Sequence, residues 1–243
     1  MGKDKYRRFQ ENLTFANMVQ PDFEEVFGKE YRLKGHDEFF RNPNPIILEL
    51  GCGRGEYTVA LAERNPDRNY IGIDIKGARM WRGAKTATER GMANAAFLRT
   101  RIEFINSFFA SGEVDEIWIT FPDPQLKKQR VKKRLTSPQF LGYYAKFLKP
   151  DGVVHLKTDS RHLHEYTKAV IERNALPLLA CGDDIYGTGM ADTDLSIQTA
   201  YERKFREQGL PITYLRFMLG GRSEFEVPDF EEDDNLDASQ LGE

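Results

Sequence analysis

The sequence predicts an α/β protein with a doubly wound, mostly parallel sheet and helices on both faces. Three observations predict it. Short apolar runs alternate with stretches of helical period. A glycine-rich turn follows the first apolar run. The runs lead into acidic residues one after another: Glu49, Asp74, Asp123 and Asp159. Open sheets of this kind bind ligands at the carboxyl ends of their strands, so these acids are expected along one rim.

The elements follow in chain order. Residues 1–44 are charged and aromatic without a clean period and read as an N-terminal arm with short helices. Pro43 and Pro45 stiffen the entry to a core over 45–220. Ile46-Ile47-Leu48-Glu49-Leu50 is a short buried strand, and a helix is expected over 57–65. Strand two is Asn69-Tyr70-Ile71-Gly72-Ile73, ending on Asp74, and a helix over 78–90 stops at Gly91. Weak strand three covers 95–99, and strand four, 116–120, runs into Phe121-Pro122-Asp123-Pro124. Ser137 followed by Pro138 opens a helix to about 148. Strand five covers 152–158, followed by a helix to 174, a strand over 176–180, a polar loop, a helix over 199–208 and a last strand over 211–219.

Composition sets limits. The chain of 243 residues is 40% hydrophobic and 30% charged, ordinary for a globular protein. No apolar run approaches the roughly 20 residues of a membrane helix. No signal peptide is expected at the N-terminus, and Cys52 and Cys181 make no disulfide framework, so a reduced, cytoplasmic protein is expected. Without CxxC or HExxH, no metal site is expected, and His162 and His164 are read as surface residues of a helix. The net charge of −3 conceals an asymmetry: residues 224–243 hold nine acidic residues and no Lys or Arg, leaving the rest at +6. Residues 221–243 are read as a solvated, disordered tail on a basic body.

The glycine turn narrows the cofactor. Gly51, Gly53 and Gly55 give GxGxG, not the GxGxxG of dinucleotide sites; the next position is Glu56. A pyrophosphate there would meet the like charge of Glu49, whereas a sulfonium with an ammonium group would meet an opposite one. Both features favour S-adenosylmethionine over NAD. Asp74, ending strand two, suits a pair of ribose hydroxyls.

The second half points to a polyanionic substrate. Two prolines fix Asp123 at the end of strand four. Lys127-Lys128-Gln129-Arg130-Val131-Lys132-Lys133-Arg134 puts six basic residues in eight directly after it, a phosphate-binding strip. Asp159 could accept hydrogen bonds from a base edge. Thr199 and Glu202 have the spacing of a capping box.

Together these stretches resemble the bacterial tRNA (guanine-N7-)-methyltransferases. The resemblance rests on Leu48-Glu49-Leu50-Gly51-Cys52-Gly53, Gly72-Ile73-Asp74, Phe121-Pro122-Asp123-Pro124, Lys127-Lys128, Lys133-Arg134-Leu135-Thr136, Lys157-Thr158-Asp159 and Thr199-Ala200-Tyr201-Glu202-Arg203-Lys204-Phe205. It implies a seven-stranded, Rossmann-like methyltransferase sheet, S-adenosylmethionine as methyl donor, and N7 of guanine 46 in the tRNA variable loop as acceptor. It implies that Glu49, Gly51, Gly53, Asp74 and Asp123 bind the cofactor, with Asp123 the central active-site acid. Lys127, Asp159, Thr199 and Glu202 would contact the tRNA. Two positions depart from the family: Gln125 replaces an aromatic residue, and Arg101 replaces the usual Asp or Asn beside the adenine. Arg101 would act there by stacking or through backbone groups. Monomer and homodimer both remain open.

Overall fold

The computed structural model describes residues 3–231. Its strands are β1 (Met18–Val19), β2 (Ile46–Leu50), β3 (Asn69–Asp74), β4 (Ala95–Arg99), β5 (Val114–Thr120), β6 (Leu148–Thr158), β7 (Leu178–Gly182) and β8 (Thr213–Met218). Its α-helices are α1 (Lys3–Asn12), α2 (Phe23–Val26), α3 (Glu56–Arg64), α4 (Gly77–Glu89), α5 (Pro138–Tyr144), α6 (Arg161–Arg173) and α7 (Ala200–Glu207). One sheet runs β1-β4-β3-β2-β5-β6-β8-β7. All pairings from β1 to β6 are parallel; β8 lies antiparallel to both β6 and β7.

The central strands are buried on both faces, which is why they read as continuous apolar runs. Alternation within them divides the core. Ile46, Leu48, Leu50, Ile71, Ile73, Ala96 and Leu98 join α5 and α6 on one face. Ile47, Tyr70, Ala95 and Phe97 join α3, α4 and Phe205 of α7 on the other.

The expected seven strands become eight. The extra strand, β1, pairs Met18 with Phe97 and Val19 with Leu98, and two residues are too few to show a period. The N-terminal segment is built onto the core. Asn12 Nδ2 donates to the Gly77 carbonyl at 2.9 Å, and Glu11 accepts from Trp81 Nε1 at 2.8 Å and Lys85 Nζ at 2.6 Å. The helix opened by Ser137 ends at Tyr144 rather than near 148, because Leu148 already belongs to β6. No described helix is long and apolar enough to cross a membrane.

The acidic segment is described through residue 231. Phe225 and Phe230 pack against the core, Phe230 edge-on to Tyr166 at 5.5 Å. The Glu226 N–H donates to Asn174 Oδ1 at 2.7 Å. The described part of the expected tail is therefore fastened to α6 and its C-terminus. Residues 232–243, the rest of that tail, lie outside the described residues.

Candidate active site

The strand order brings the ends of β3, β2, β5 and β6 side by side, so Asp74, Glu49, Asp123 and Asp159 occupy adjacent stations on one rim. The glycine loop crosses from β2 toward β3: the N–H groups of Gly51 and Cys52 both donate to the Ile73 carbonyl, at 2.8 and 3.1 Å. Gly51 has φ +78, and a side chain built there meets no atom within 4 Å, so its backbone stands open to a ligand. Gly55 is required for the opposite reason: at φ +70 a Cβ would collide with the Phe97 ring. Asp74 braces the loop. Its Oδ2 accepts from the Gly53 N–H at 2.9 Å and its Oδ1 from the Lys76 N–H at 2.8 Å. Each oxygen keeps a lone pair for a further donor.

Glu49 sits deeper than the sequence suggests. It is 3% exposed, and its carboxylate is enclosed by two hydroxyls. Thr120 Oγ1 donates to Oε1 at 2.6 Å, and Thr58 Oγ1 donates to Oε2. Burial raises its pKa to about 7 against the lowering effect of both threonines, with a small further rise from the Asp74 charge. Arg101 is exposed; its Nη2 pairs with Glu103 Oε1 at 3.1 Å and its guanidinium lies 5.6 Å from the Phe104 ring centre.

The turn after β5 is strained and held from beneath. Phe121 and Gln125, on either side of Pro-Asp-Pro, have φ +47 and +48. Non-glycine residues in that region cost about 1–3 kcal/mol each and persist where surrounding contacts dictate them. Arg134 supplies such contacts. Although it ends the basic run, it is 0% exposed, which corrects its reading as part of the phosphate strip. Its Nε donates to the Pro124 carbonyl at 3.1 Å and its Nη2 to the Gln125 carbonyl at 3.2 Å, with the guanidinium 4.3 Å from the Tyr166 ring centre. Asp123 itself is exposed. Its Oδ1 accepts from the Gln125 N–H at 2.9 Å; its other oxygen carries no hydrogen bond from the described residues. Lys127, Lys128, Arg130, Lys132 and Lys133 remain as an exposed strip around the 3₁₀-helix Lys128–Lys133.

Asp159 and the α7 entry form the neighbouring wall. Tyr201 Oη donates to Asp159 Oδ2 at 3.3 Å, and the Tyr201 ring lies 5.5 Å from Phe121. Burial, then Asp159, then Asp123 raise the Tyr201 phenol's pKa. Burial also raises the pKa of Asp159. Thr199 caps α7, its Oγ1 accepting from the Glu202 N–H at 3.1 Å. The other half of the expected capping box is absent. The Glu202 side chain is 0% exposed and turns inward, Oε2 accepting from Lys157 Nζ at 2.9 Å and Oε1 from Tyr186 Oη at 2.7 Å. Glu56 takes part in the cap: its Oε2 accepts from the Ala200 N–H at 2.6 Å, tying the start of α3, directly after the glycine loop, to α7. No local pattern announces that contact, which spans 144 residues.

His164 corrects another expectation: it is 0% exposed, because α6 turns it toward β7. Its Nε2 lies 3.2 Å from Asp183 Oδ1 and 3.9 Å from Cys181 Sγ. This is the one group of three such donors among the described residues. Its Nδ1 lacks the hydrogen-bond partner that orients a metal-bound imidazole.

A family model described as "Putative methyltransferase" matches residues 43–215. That match spans most of the chain and places it among methyltransferases. A tRNA (guanine-N(7)-)-methyltransferase of Christiangramia forsetii is 53% identical over 220 residues, covering 89% of this chain and 98% of that relative. The enzyme of the same name from Bacteroides thetaiotaomicron is 49% identical, covering 95% and 92%. The chain belongs to the tRNA (guanine-N(7)-)-methyltransferase family. Among solved structures, the 16S rRNA methyltransferase KamB shares the fold with a TM-score of 0.60 at 16% identity, covering 78% of this chain and 94% of that one. A 30S ribosomal A1408 methyltransferase from an uncultured bacterium gives 0.56 at 19%, covering 76% and 92%.

Proposed function

We propose that this protein transfers a methyl group from S-adenosylmethionine to N7 of guanine 46 in the tRNA variable loop. The observation that carries the reading is Asp123: an exposed carboxylate with one uncommitted oxygen, fixed on a strained turn between the cofactor loop and a basic strip.

The residues present fit the cofactor. Glu49 supplies an anion for its cationic end, the open backbone at Gly51 leaves room, and the spare lone pairs of Asp74 suit ribose hydroxyls. When bound, S-adenosylmethionine supplies an electrophilic methyl group. Arg101 would meet the adenine end through its backbone or its guanidinium face. Guanine N7 has a lone pair and no proton, so no group on the rim has to act as a strong base. Positioning is then the main contribution of the protein. Asp123 accepts hydrogen bonds from the guanine Watson–Crick edge, and Asp159 assists. The ring becomes cationic on methylation, so both carboxylates also favour the product-like charge. The deep major groove of A-form RNA hides N7 from side chains, so the base must be splayed out to reach Asp123. Lys127 and its neighbours hold phosphates beside it.

The test is Asp123→Ala. A fall of about 100-fold or more in turnover with transcribed tRNA is expected from loss of a positioning carboxylate. Turnover like that of the unaltered protein would remove Asp123 from this role.

A further inference from the structure

Glu202 lies in the segment that resemblance assigns to substrate contact, yet nothing of its side chain reaches the surface. Its partner is a second fully buried charge. Lys157 is 0% exposed, and its ammonium has three hydrogen-bond partners: the carbonyls of Leu195 at 2.9 Å and Ile197 at 2.8 Å, and the Glu202 carboxylate. Those account for all three of its donors. The aromatic rings of Tyr57, Phe121 and Tyr186 surround it at 5.2–5.9 Å. Burial lowers the Lys157 pKa and Glu202 opposes that.

We propose that Lys157 and Glu202 are positioning residues that clamp the 195–202 segment onto the end of β6, and that Glu202 acts through Lys157 rather than by touching the base. The inference rests on the tRNA-methyltransferase reading above. The connections run outward from the ammonium. Two residues beyond Lys157 is Asp159, which receives the Tyr201 hydroxyl. The Phe121 N–H donates to the Lys157 carbonyl at 2.8 Å, so the turn bearing Asp123 starts from the same residue. Leu195 and Ile197 end the long loop before α7, and Glu202 fixes the first turn of α7. One buried cation thereby sets the spacing between the Asp123 turn, Asp159 and the Thr199–Tyr201 wall. Burying two charges is a weak way to stabilise a fold, since an apolar pair of similar volume does as well or better. A network that joins three separate rim elements fits a demand for exact geometry instead.

The test compares Lys157→Met, Glu202→Leu and the double variant Lys157→Met/Glu202→Leu. Each is assayed for kcat and KM with tRNA, for cofactor affinity by calorimetry, and for amide hydrogen exchange. Lys157→Met is expected to lose about 100-fold in kcat/KM for tRNA, the scale of a 1 Å misplacement. Cofactor affinity should stay within about twofold, and amides of 195–202 should exchange faster. The double variant should exceed Lys157→Met in kcat/KM by about tenfold, because it leaves no unpaired buried charge. If Lys157→Met does not fold, the double variant should still exceed Glu202→Leu. Losses that multiply in the double variant would mean that Glu202 contacts the substrate itself and would overturn the proposal. So would lost activity with unchanged exchange at 195–202, or equal losses of cofactor and tRNA binding. Failure of the unaltered protein to methylate tRNA would instead sink the functional reading, while the exchange result still judges the clamp.

Discussion

Thr120 Oγ1 of β5 donates to Glu49 Oε1 of the adjacent β2 at 2.6 Å, so the acid before the glycine loop is held inside the sheet rather than above it. Enclosure raises its pKa from 4.5 to about 7. A raised carboxyl pKa means the folded chain holds a proton that the unfolded chain releases between those values. Its contribution to stability is complete below 4.5 and is lost as pH rises to about 7. A cationic cofactor favours the ionised form, so its binding should release that proton. Affinity for S-adenosylmethionine should therefore rise from pH 5.5 to 7.5, by up to about tenfold per unit below the Glu49 pKa, before the ligand's own amine titrates at about pH 8. Glu49→Gln should flatten the acid limb in calorimetric titrations. An identical pH profile in that variant would contradict the coupling.

Arg134 is the residue on which the Asp123 turn rests. Arg134→Met would leave the carbonyls of Pro124 and Gln125 without their donors. A loss of about 2–4 kcal/mol is expected, since buried groups left unsatisfied cost about 1–3 kcal/mol each. Guanidinium unfolding measures it. A loss below about 0.5 kcal/mol, typical of an exposed side chain, would contradict its burial.

The five exposed bases from Lys127 to Lys133 should act through phosphate. Reversing Lys128, Arg130 and Lys132 to Glu should weaken tRNA binding at all salt concentrations. The slope of log K against log salt should fall by about 0.7–0.9 for each phosphate that is no longer neutralised. Cofactor affinity should not change. Filter binding between about 50 and 300 mM salt decides it, and an unchanged slope would show that the strip does not touch the backbone.

Much of this rim is legible in sequence because its determinants are local. The apolar runs of β2 and β3 and the glycine spacing place Gly53 and Asp74, and the structure joins them at 2.9 Å. Ser137 and Thr199 cap their helices as local pattern requires. The misses are long-range. Arg134 looks like one base among six, and only the tertiary path of 121–134 turns it inward. Glu202 satisfies the local rule for a capping box, but a buried ammonium 45 residues away competes for its carboxylate and prevails. His164 lies two residues from the half-buried His162 on one helix, and tertiary neighbours decide the difference: His164 packs beside Cys181 of β7, while His162 faces Arg134 and Phe230.

The proposed reaction puts a methyl group on a single guanine. Two unmodified tRNA transcripts, differing only in guanine or adenine at position 46, can be incubated with the protein and methyl-labelled S-adenosylmethionine, and the modified nucleotide mapped. N7-methylguanosine at position 46 of the first transcript, with no incorporation into the second, is the predicted result. Equal incorporation into both, or a methyl group at another position, would contradict the claim.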